Sequence, residues 1–371
     1  MRVCLVTDAL EPNTGWGQYS AEIAIALRNL GVDIQIASPA EHCKYEQLRT
    51  NISESIPSFM YSHRHWARLM RSSFVPLRKA TQNCDLVHCL VEPYLPVLSM
   101  VANGTPVVMS LVGTYCLPSK YPLLATQLFA WGCRRASAFT AISGYTARRF
   151  SAETGIEDVD VVPLGVDERR FWPNRNLPRV EPGLVVTVGM LKERKGVHVS
   201  LAAFAEVIKV LPEARYVIAG VDEDSPYPDQ LRTLCQKLGI CHAVDFIGEV
   251  NEEQKIDLYH RSSVFVAHFL SSETSFDGFG LVHLEANACG TPAIGTYDSG
   301  AEEAIENGVS GLLVNQNDVG ATASAMLSIM QDQQKADSLS AGARRRAKSM
   351  TWDSTATKLI STYEKILGSC L

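Results

Sequence analysis

The chain has 371 residues, of which 46% are hydrophobic and 20% are charged, a composition typical of an ordinary globular protein rather than a disordered one. Its length predicts two domains. The formal net charge of -6 argues against a general nucleic-acid binder, which is normally basic. The N-terminal sequence MRVCLVTDAL has no long apolar region, and the best apolar stretch, 94–112, is interrupted by prolines. We therefore predict a cytoplasmic chain without a secretory signal or a spanning helix.

The ten cysteines are scattered along the chain. They form no C-x-x-C pair, and no histidine pair has the spacing of a zinc finger. Most lie inside apolar runs, as in VCLV at 3–6. This pattern predicts reduced thiols in or near the core.

The first half of the sequence alternates between strands and helices. A strand at 2–7, a glycine-containing loop, a helix at 19–29 and a strand at 32–37 form a β-loop-α-β unit. Further strands are predicted at 86–88, 106–111, 138–142 and 159–163. Such alternation predicts an α/β fold with a doubly wound parallel sheet.

The second half repeats this scheme after a proline-rich segment without periodicity, which we interpret as a linker over 169–182. A helix is predicted at 199–210, and strands at 184–189, 216–220, 244–248, 263–267, 291–295 and 311–314. The chain is thus predicted to hold two Rossmann-like domains, 1–168 and 183–350. Ligands of such sheets bind beyond the carboxyl ends of the strands, so we expect the site in a cleft between the domains.

The segment TGWG at 14–17 lies between the first strand and the first helix. Its glycines, Gly15 and Gly17, let backbone N–H groups approach a phosphate at the helix N-terminus. It is not the dinucleotide fingerprint, because Ser20 stands where the third glycine is required. A plain strand-to-helix turn explains the segment equally well.

Lys192, Arg194 and Lys195 follow the first strand of the second domain and precede Gly196. Cations at a strand end can bind a diphosphate and neutralise the charge on a departing one. The alternative is a solvated basic loop, which Glu193 slightly favours.

The segment FDGFGLVHLEANACG at 276–290 is the richest in chemistry. Asp277 and Glu285 are eight residues apart, and Gly278 and Gly280 predict a tight loop whose N–H groups can face an anion. The carboxylates can accept hydrogen bonds from sugar and ribose hydroxyls. Stabilisation of a helix N-terminus explains Asp277 as well, but it explains poorly a glutamate on the apolar side of a helix.

Five segments in order resemble the retaining GT-B glycosyltransferases of the family-four type. They are TGWGQY, AISGYTARRF with VVPLGVDERRF, VGMLKERKG, DGFGLVHLEANACGTPAIG with GAEEAIENGVSGLLV, and the tail from Thr351 to Leu367. The resemblance covers nearly the whole chain. It implies two Rossmann-like domains facing across a cleft and a last helix, 351–371, that crosses back to the N-terminal domain. It also implies no cofactor and no obligatory metal.

The same resemblance assigns residue roles. Lys195 would bind the diphosphate of the donor, Asp277 would face its sugar, and Glu285 would hold its ribose; these three are the predicted catalytic residues. The segment 247–250 would line the base. The full predicted donor-binding set is Gly15, Gly17, Arg194, Lys195, Gly248, Val250, Asp277, Gly278, Phe279, Gly280, Leu281 and Glu285, and the acceptor-side candidates are His88, Glu92, Thr114 and Tyr115.

The sequence departs from the family pattern at several positions. Asp277 stands where glutamate is usual, Met190 where an arginine is usual, and Val112 where the N-terminal domain usually has a histidine. Leu90 replaces the second member of a His-x-His pair, and the stretch 268–276 is longer than the common form. Arg194 is the candidate substitute for the arginine missing at Met190.

The predicted function is transfer of a hexosyl or N-acetylhexosaminyl group from a UDP-, GDP- or ADP-sugar to a hydroxyl acceptor, a glycan or a lipid-linked molecule. Retention would follow from attack on the same face, with the leaving diphosphate stabilised by Lys195 and loop N–H groups. The alternative is a catalytically silent nucleotide-sugar binder or partner subunit, which Val112 and Met190 suggest. A sugar-nucleotide epimerase is a third option that the acid-x₇-Glu block does not favour.

The segment 61–81 carries five cations and no acid, in a chain that is acidic overall. Arg64, Arg68 and Arg71 fall on one helical face, and Trp66, Leu69, Met70 and Phe74 supply apolar surface nearby. Such a segment can rest on the anionic inner face of a membrane, so peripheral contact is one prediction. An acceptor-phosphate site and a solvated face with a core-facing apolar side are the other two.

Overall fold

The computed structural model describes residues 1–12, 14–59, 63–172, 180–221 and 225–368, and the chain divides into two compact units. The first comprises Met1–Leu164 with the C-terminal segment from Trp352, and the second is Gly165–Thr351. The division thus falls after Leu164, whereas the sequence predicted it after residue 168. Of the predicted linker, residues 173–179 lie outside the described residues.

The first unit is built on a parallel sheet, seven-stranded in the described residues, with the order β3-β2-β1-β4-β5-β6-β7. Strands β1, β4 and β5 lie in its centre and are buried almost throughout. The strands are β1 (Arg2–Val6), β2 (Asp33–Ala37), β3 (Ile52–Glu54), β4 (Leu86–Cys89), β5 (Val107–Leu111), β6 (Ala138–Ala141) and β7 (Asp160–Val161). The helices are α1 (Gly15–Asn29), α2 (His63–Ala80), α3 (Leu95–Val101), α4 (Leu123–Cys133) and α5 (Gly144–Thr154).

Helix α1 begins at Gly15, four residues before the predicted start. The cause is Thr14, whose side-chain oxygen caps the helix by accepting a hydrogen bond from the Gly17 N–H at 3.1 Å. The TGWG segment is therefore the first turn of the helix rather than a loop before it.

The second unit contains a parallel sheet, six-stranded in the part of the chain that the structure describes, with the order β10-β9-β8-β11-β12-β13. Its strands are β8 (Leu184–Val188), β9 (Arg215–Ala219), β10 (Val244–Gly248), β11 (Val264–Val266), β12 (Ala293–Thr296) and β13 (Gly311–Val314). Its helices are α6 (Glu168–Phe171), α7 (Val197–Val210), α8 (Tyr227–Leu238), α9 (Glu252–Arg261), α10 (Leu281–Ala288), α11 (Ala301–Ala304), α12 (Val319–Met330) and α13 (Gln333–Ser349). The predicted doubly wound α/β architecture is confirmed.

Part of the predicted linker is ordered and belongs to the second unit. Phe171, the last residue of α6, is buried, and its carbonyl oxygen lies 2.7 Å from His260 Nε2. This contact fixes α6 to α9, so the segment up to Trp172 is not a free connection.

The last helix, α14 (Trp352–Gly368), packs against α1 in the first unit. Its Tyr363 is fully buried, and the hydroxyl lies 2.5 Å from His88 Nδ1 on β4. Thr355 donates to the carbonyl of Pro163 at 2.8 Å. In the described residues, none of the helices is both long and apolar enough to cross a membrane.

Candidate functional site

The residues predicted to bind the donor in the second unit follow strands at the same edge of its sheet. Strands β8 and β11 are parallel neighbours, so the segments after Val188 and Val266 leave the sheet side by side. The first segment leads to a short 3₁₀ turn at Glu193–Lys195, and the second leads to Asp277 and α10. The fold thereby joins residues that are more than eighty positions apart in the sequence.

Asp277 forms ion pairs with both predicted cations. Its Oδ1 accepts a hydrogen bond from Lys195 Nζ at 2.6 Å, and its Oδ2 accepts one from Arg194 Nη1 at 2.7 Å. The Asp277 side chain is only 13% exposed. Burial favours the neutral carboxyl, but Lys195 and Arg194 outweigh it and hold the pKa of Asp277 below its ordinary value.

The longer stretch 268–276 packs under the cation segment. The ammonium of Lys195 lies 4.4 Å from the centre of the Phe269 ring, and the Leu270 N–H donates to the carbonyl of Arg194 at 2.8 Å. Burial lowers the pKa of Lys195, and the charge of Asp277 opposes this change. The extra residues therefore help to fix the cations in place.

The glycine loop before α10 is tightly packed. Gly280 has a φ of 86°, a conformation that favours glycine, and it is the N-cap residue that precedes α10. A Cβ on Gly300 would lie 2.2 Å from the backbone of Gly278 and Phe279, so only glycine fits there. The Phe279 side chain is buried, and its backbone nitrogen packs against Gly300. Leu281 is half-buried at the first helical position.

Glu285 is held in the interior by two residues that sequence reasoning missed. Its Oε1 accepts a hydrogen bond from Lys255 Nζ at 3.0 Å, and its Oε2 accepts one from the Tyr259 hydroxyl at 3.1 Å. The Glu285 side chain is 2% exposed. Burial, reinforced by this carboxylate, raises the pKa of Tyr259. The signal in the sequence was the i,i+4 spacing of Lys255 and Tyr259 on one helix after the predicted base segment.

Strand β10 is an outer strand of the same sheet. Gly248 is its last residue, and Val250 follows two residues later. Gly248 has a φ of 75° and accepts a backbone hydrogen bond from Gly220 at 2.7 Å. Val250 is half-buried, and the next residue, Asn251, caps α9. The predicted base segment thus leads directly into the helix that carries Lys255 and Tyr259.

Gly15 and Gly17 lie in the first unit, in the first turn of α1. A Cβ on Gly17 would lie 2.5 Å from the carbonyl oxygen of Glu11, whereas Gly15 has open space. Between them, Trp16 packs against Tyr115, with ring centres 5.0 Å apart. The structure therefore joins the α1 N-terminus to the acceptor-side pair Thr114 and Tyr115, which lies in a 3₁₀ turn after β5.

The other two acceptor-side candidates are buried. His88 lies between Tyr363 and Ser110, and burial lowers its pKa to about 3. This core position does not favour direct contact with an acceptor. Glu92 is fully buried, and its Oε1 accepts a hydrogen bond from the Val112 N–H at 2.7 Å. This hydrogen bond supports the loop that carries Thr114. Burial raises the pKa of Glu92 to about 7.

Comparison with known proteins identifies the family. Residues 168–346 match the model for glycosyl transferases group 1, and residues 14–170 match the model for glycosyltransferase family 4. The chain belongs to the group 1 glycosyltransferases. The recognition of this family from its motifs is confirmed.

Two curated relatives illustrate the sequence similarity. The D-inositol 3-phosphate glycosyltransferase of Rhodococcus jostii is 33% identical over 248 residues, which is 64% of this chain and 53% of the relative. Glycogen synthase of Mycobacterium tuberculosis is 31% identical over 211 residues, which is 56% of this chain and 49% of the relative. The chain thus matches about half the length of these curated relatives.

Two solved structures share the fold over almost the whole chain. HepE of Anabaena, crystallised in complex with UDP and glucose, is 18% identical with a TM-score of 0.79, over 98% of this chain and 100% of HepE. Sucrose-phosphate synthase of Thermosynechococcus elongatus is 18% identical with a TM-score of 0.78, over 99% of each chain. The fold is GT-B, with two Rossmann-like domains.

No group of three or more His, Cys, Asp or Glu side chains that could hold a metal ion occurs among the residues that the structure describes. The nine cysteines in this part of the chain are free. Metal independence remains a prediction, since neither observation tests it.

Proposed function

We propose that this group 1 glycosyltransferase transfers a hexosyl group from a UDP-sugar to a hydroxyl acceptor with retention of the anomeric configuration. The observation that carries the proposal is the ion-paired cluster of Asp277, Arg194 and Lys195, with Glu285 anchored eight residues further on. Uridine is the preferred base because the structurally similar HepE was crystallised with UDP and UDP-glucose. The GDP- and ADP-sugars are the other candidates.

The largest catalytic contribution in this scheme is stabilisation of the leaving diphosphate. The bond between the anomeric carbon and the phosphate oxygen breaks, and negative charge grows on the diphosphate. Lys195 and Arg194 carry positive charge at the position where that growth must be stabilised, and the N–H groups of Phe279 and Gly280 add donors. Gly15 and Gly17 would contribute the N-terminus of α1.

The acceptor hydroxyl forms the new bond on the face from which the diphosphate departs. Its proton goes to a phosphate oxygen of the leaving group, so the reaction balances without a protein base. This differs from most retaining glycosidases, in which a carboxylate acts as nucleophile. Asp277 binds hydroxyls of the transferred sugar, and Glu285 binds the ribose with its position fixed by Lys255 and Tyr259.

Two measurements test the proposal. A thermal-shift panel with UDP, GDP, ADP and their sugars should give the largest increase in melting temperature for the UDP ligands, because a ligand specific for the folded state stabilises it. Nuclear magnetic resonance of the product then gives its anomeric configuration. An inverted product contradicts the mechanism, and a panel without any shift contradicts the donor class.

The alternative is a silent nucleotide-sugar binder. Met190, which is 49% exposed, stands where the family pattern usually has an arginine, and Val112 stands where it usually has a histidine. Binding of a UDP-sugar without hydrolysis or transfer to any of many acceptors favours this alternative. Turnover with a single acceptor excludes it.

The proposed acceptor is a glycan or a lipid-linked molecule at the cytoplasmic side of a membrane. Helix α2 supports this location because Arg68, Arg71, Arg78 and Lys79 are exposed along it. Of the predicted segment 61–81, residues 61 and 62 and the side chain of Arg64 lie outside the described residues. Trp66 and Leu69 are buried, so these two side chains pack in the core and do not supply the apolar surface that the sequence predicted for them.

A further inference from the structure

Helix α4 begins with two apolar side chains that the fold leaves uncovered. Leu123 is 88% exposed and Leu124 is 72% exposed, more than any other large hydrophobic side chain in the described residues. Single exposed apolar residues are common on protein surfaces, but two adjacent leucines at this exposure indicate an interaction site. The predicted function gives neither of them a role.

The local structure explains their exposure. Ala125 and Phe129 face the core from α4, whereas Leu123 and Leu124, in the same first turn as Ala125, lie on the exposed side of the helix. Just before the helix, the ring of Tyr121 contacts the ring of Trp66 at a centre distance of 5.3 Å. The first turn of α4 therefore lies beside the N-terminal part of α2, and α3 packs against both helices.

The same layer of helices is strongly cationic. Neither 55–84 nor 93–152 contains an aspartate or glutamate, although the whole chain carries a net charge of -6. The next acid, Glu153 on α5, accepts a hydrogen bond from the Ser119 hydroxyl shortly before α4. Exposed cations on this layer are Arg68, Arg71, Arg78, Lys79, Arg134 and Arg135. Phe74 and Val75, on the exposed side of α2, are 38% and 60% exposed. We call the exposed residues of α2 and α4 the α2–α4 surface.

The combination of charges and leucines selects one kind of partner. A soluble polyanion would pair with the cations but would gain nothing from Leu123 and Leu124. A second copy of the chain would bring the same cations against each other, which repel. An anionic bilayer satisfies both features, because its headgroups attract the cations and its acyl region accepts the leucines.

We propose that the α2–α4 surface docks on an anionic lipid bilayer, with Leu123 and Leu124 inserted below the headgroups and the exposed cations of α2 resting on them. The proposal extends the membrane location given above to a defined pair of inserting residues, and it rests on that part of the proposed function. It makes the association partly resistant to salt, since screening weakens only the charged contacts.

Co-sedimentation of the full chain with vesicles tests the proposal. Wild-type protein should bind phosphatidylcholine vesicles containing phosphatidylglycerol far better than pure phosphatidylcholine. The L123S/L124S variant should partition about tenfold less at low salt, and the binding that wild type retains at high salt should disappear. The R68E/R71E variant should lose binding mainly at low salt. The matched control is Val210→Ser, which changes a 53% exposed apolar residue of the second unit.

Each outcome decides the matter. Equal partitioning of wild type and L123S/L124S means purely electrostatic adsorption and overturns insertion. Failure of wild type to bind either vesicle, or binding to heparin alone, overturns the docking surface. The UDP thermal shift is measured on every variant: an unchanged shift shows that each is folded. A missing shift in wild type that still binds vesicles contradicts the transferase proposal and leaves the surface intact.

Discussion

Asp277 holds Lys195 and Arg194 at the same time, one with each carboxylate oxygen, at 2.6 and 2.7 Å. A diphosphate offers oxygens of the same charge to the same two donors. On the proposed function, we therefore expect its binding to compete with the carboxylate and to release Asp277 toward the sugar. We accordingly expect the first acid of the motif to influence the affinity for the nucleotide as well as the chemistry on the sugar.

Replacing Asp277 with asparagine should separate these two roles. We expect Asp277→Asn to raise the affinity for UDP about threefold to tenfold. The two charged hydrogen bonds from Lys195 and Arg194 to Asp277, each worth about 1.5–3 kcal/mol, would then be replaced by weaker bonds to a neutral amide, which compete less with the diphosphate. Transfer should become slower, since the amide is a weaker partner for sugar hydroxyls. Calorimetry with UDP and a transfer assay measure both effects. Asp245→Asn, in an exposed ion pair with Arg215, is the matched control; a lower UDP affinity in Asp277→Asn alone would refute the competition.

Lys195→Ala should reduce kcat more than it raises KM. In the proposed mechanism the ammonium stabilises charge that grows on the diphosphate during bond cleavage, so its loss should affect the transition state more than the bound donor. The expected loss in kcat is about tenfold to a hundredfold, which corresponds to one charge-assisted contact. Lys209→Ala, in an exposed ion pair with Glu206 on α7, should be close to wild type. A change in KM alone would mean that Lys195 only binds the ground state.

Glu285→Gln should remove the preference of the protein for a ribonucleotide over the corresponding deoxyribonucleotide. Wild type should bind UDP about tenfold more tightly than a deoxyribose analogue, because a carboxylate accepts strong hydrogen bonds from hydroxyls. The glutamine variant should bind both nucleotides with similar, lower affinity. Its free energy of unfolding should also fall by about 1–3 kcal/mol, since Lys255 loses the closer of its two charged partners. Glu253→Gln, at an exposed position of α9, is the control; unchanged discrimination in Glu285→Gln would contradict the ribose assignment.

Gly300→Ala should disturb the glycine loop 278–280, against whose backbone Gly300 packs. The new methyl group would overlap the backbone of Gly278 and Phe279, so we expect a loss of about 1–3 kcal/mol in the free energy of unfolding and weaker UDP binding. Gly320→Ala is the matched control, because this exposed helical glycine has its nearest neighbour at 3.7 Å. The control should gain up to about 1 kcal/mol from helix propensity. Denaturant titrations compare the two, and similar effects would argue against the steric mechanism.

Glu92 should make stability depend on pH. Burial raises its pKa from 4.5 to about 7, so its stabilising contribution is complete below the unfolded value of 4.5 and is lost as the pH rises through 7. At about 1.4 kcal/mol for each pKa unit, the loss amounts to roughly 3 kcal/mol. Glu92→Gln removes this dependence, because an amide does not ionise. Relative to wild type, the variant should therefore be more stable at pH 8 than at pH 5. An equal difference at both pH values would contradict the shifted pKa.

Sequence periodicity predicted the two parallel sheets because their central strands are apolar on both faces, as in β5 and β8. It missed β3, whose three residues, Ile52–Glu54, are too few and too polar to show a pattern. The predicted start of α1 was four residues too late. The two glycines of its first turn favour a loop prediction unless the capping role of Thr14 is taken into account.

The candidate site could be predicted as a set of residues but not as a set of contacts. The motif identified Asp277 and Glu285, yet their partners come from helices and turns that pack only in the folded chain. Lys255 and Tyr259 meet Glu285 through the packing of α9 on α10. The position of His88 was not predictable either: this acceptor-side candidate on β4 lies in a buried hydrogen-bonded cluster that forms only in the folded chain.

Because α14 belongs to the first unit but is synthesised last, the two units become complete in the reverse of their order in the sequence. The second unit is one continuous stretch, Gly165–Thr351, whereas the first needs the helix that begins at Trp352. His88 and Tyr363, which meet in its interior, are 275 residues apart. Ribosomes add roughly 5–20 residues per second, so the sheet made first waits many seconds for its closing helix. The N-terminal half is therefore the part of the nascent chain that needs a chaperone longest, and the half made second is the first that can fold completely.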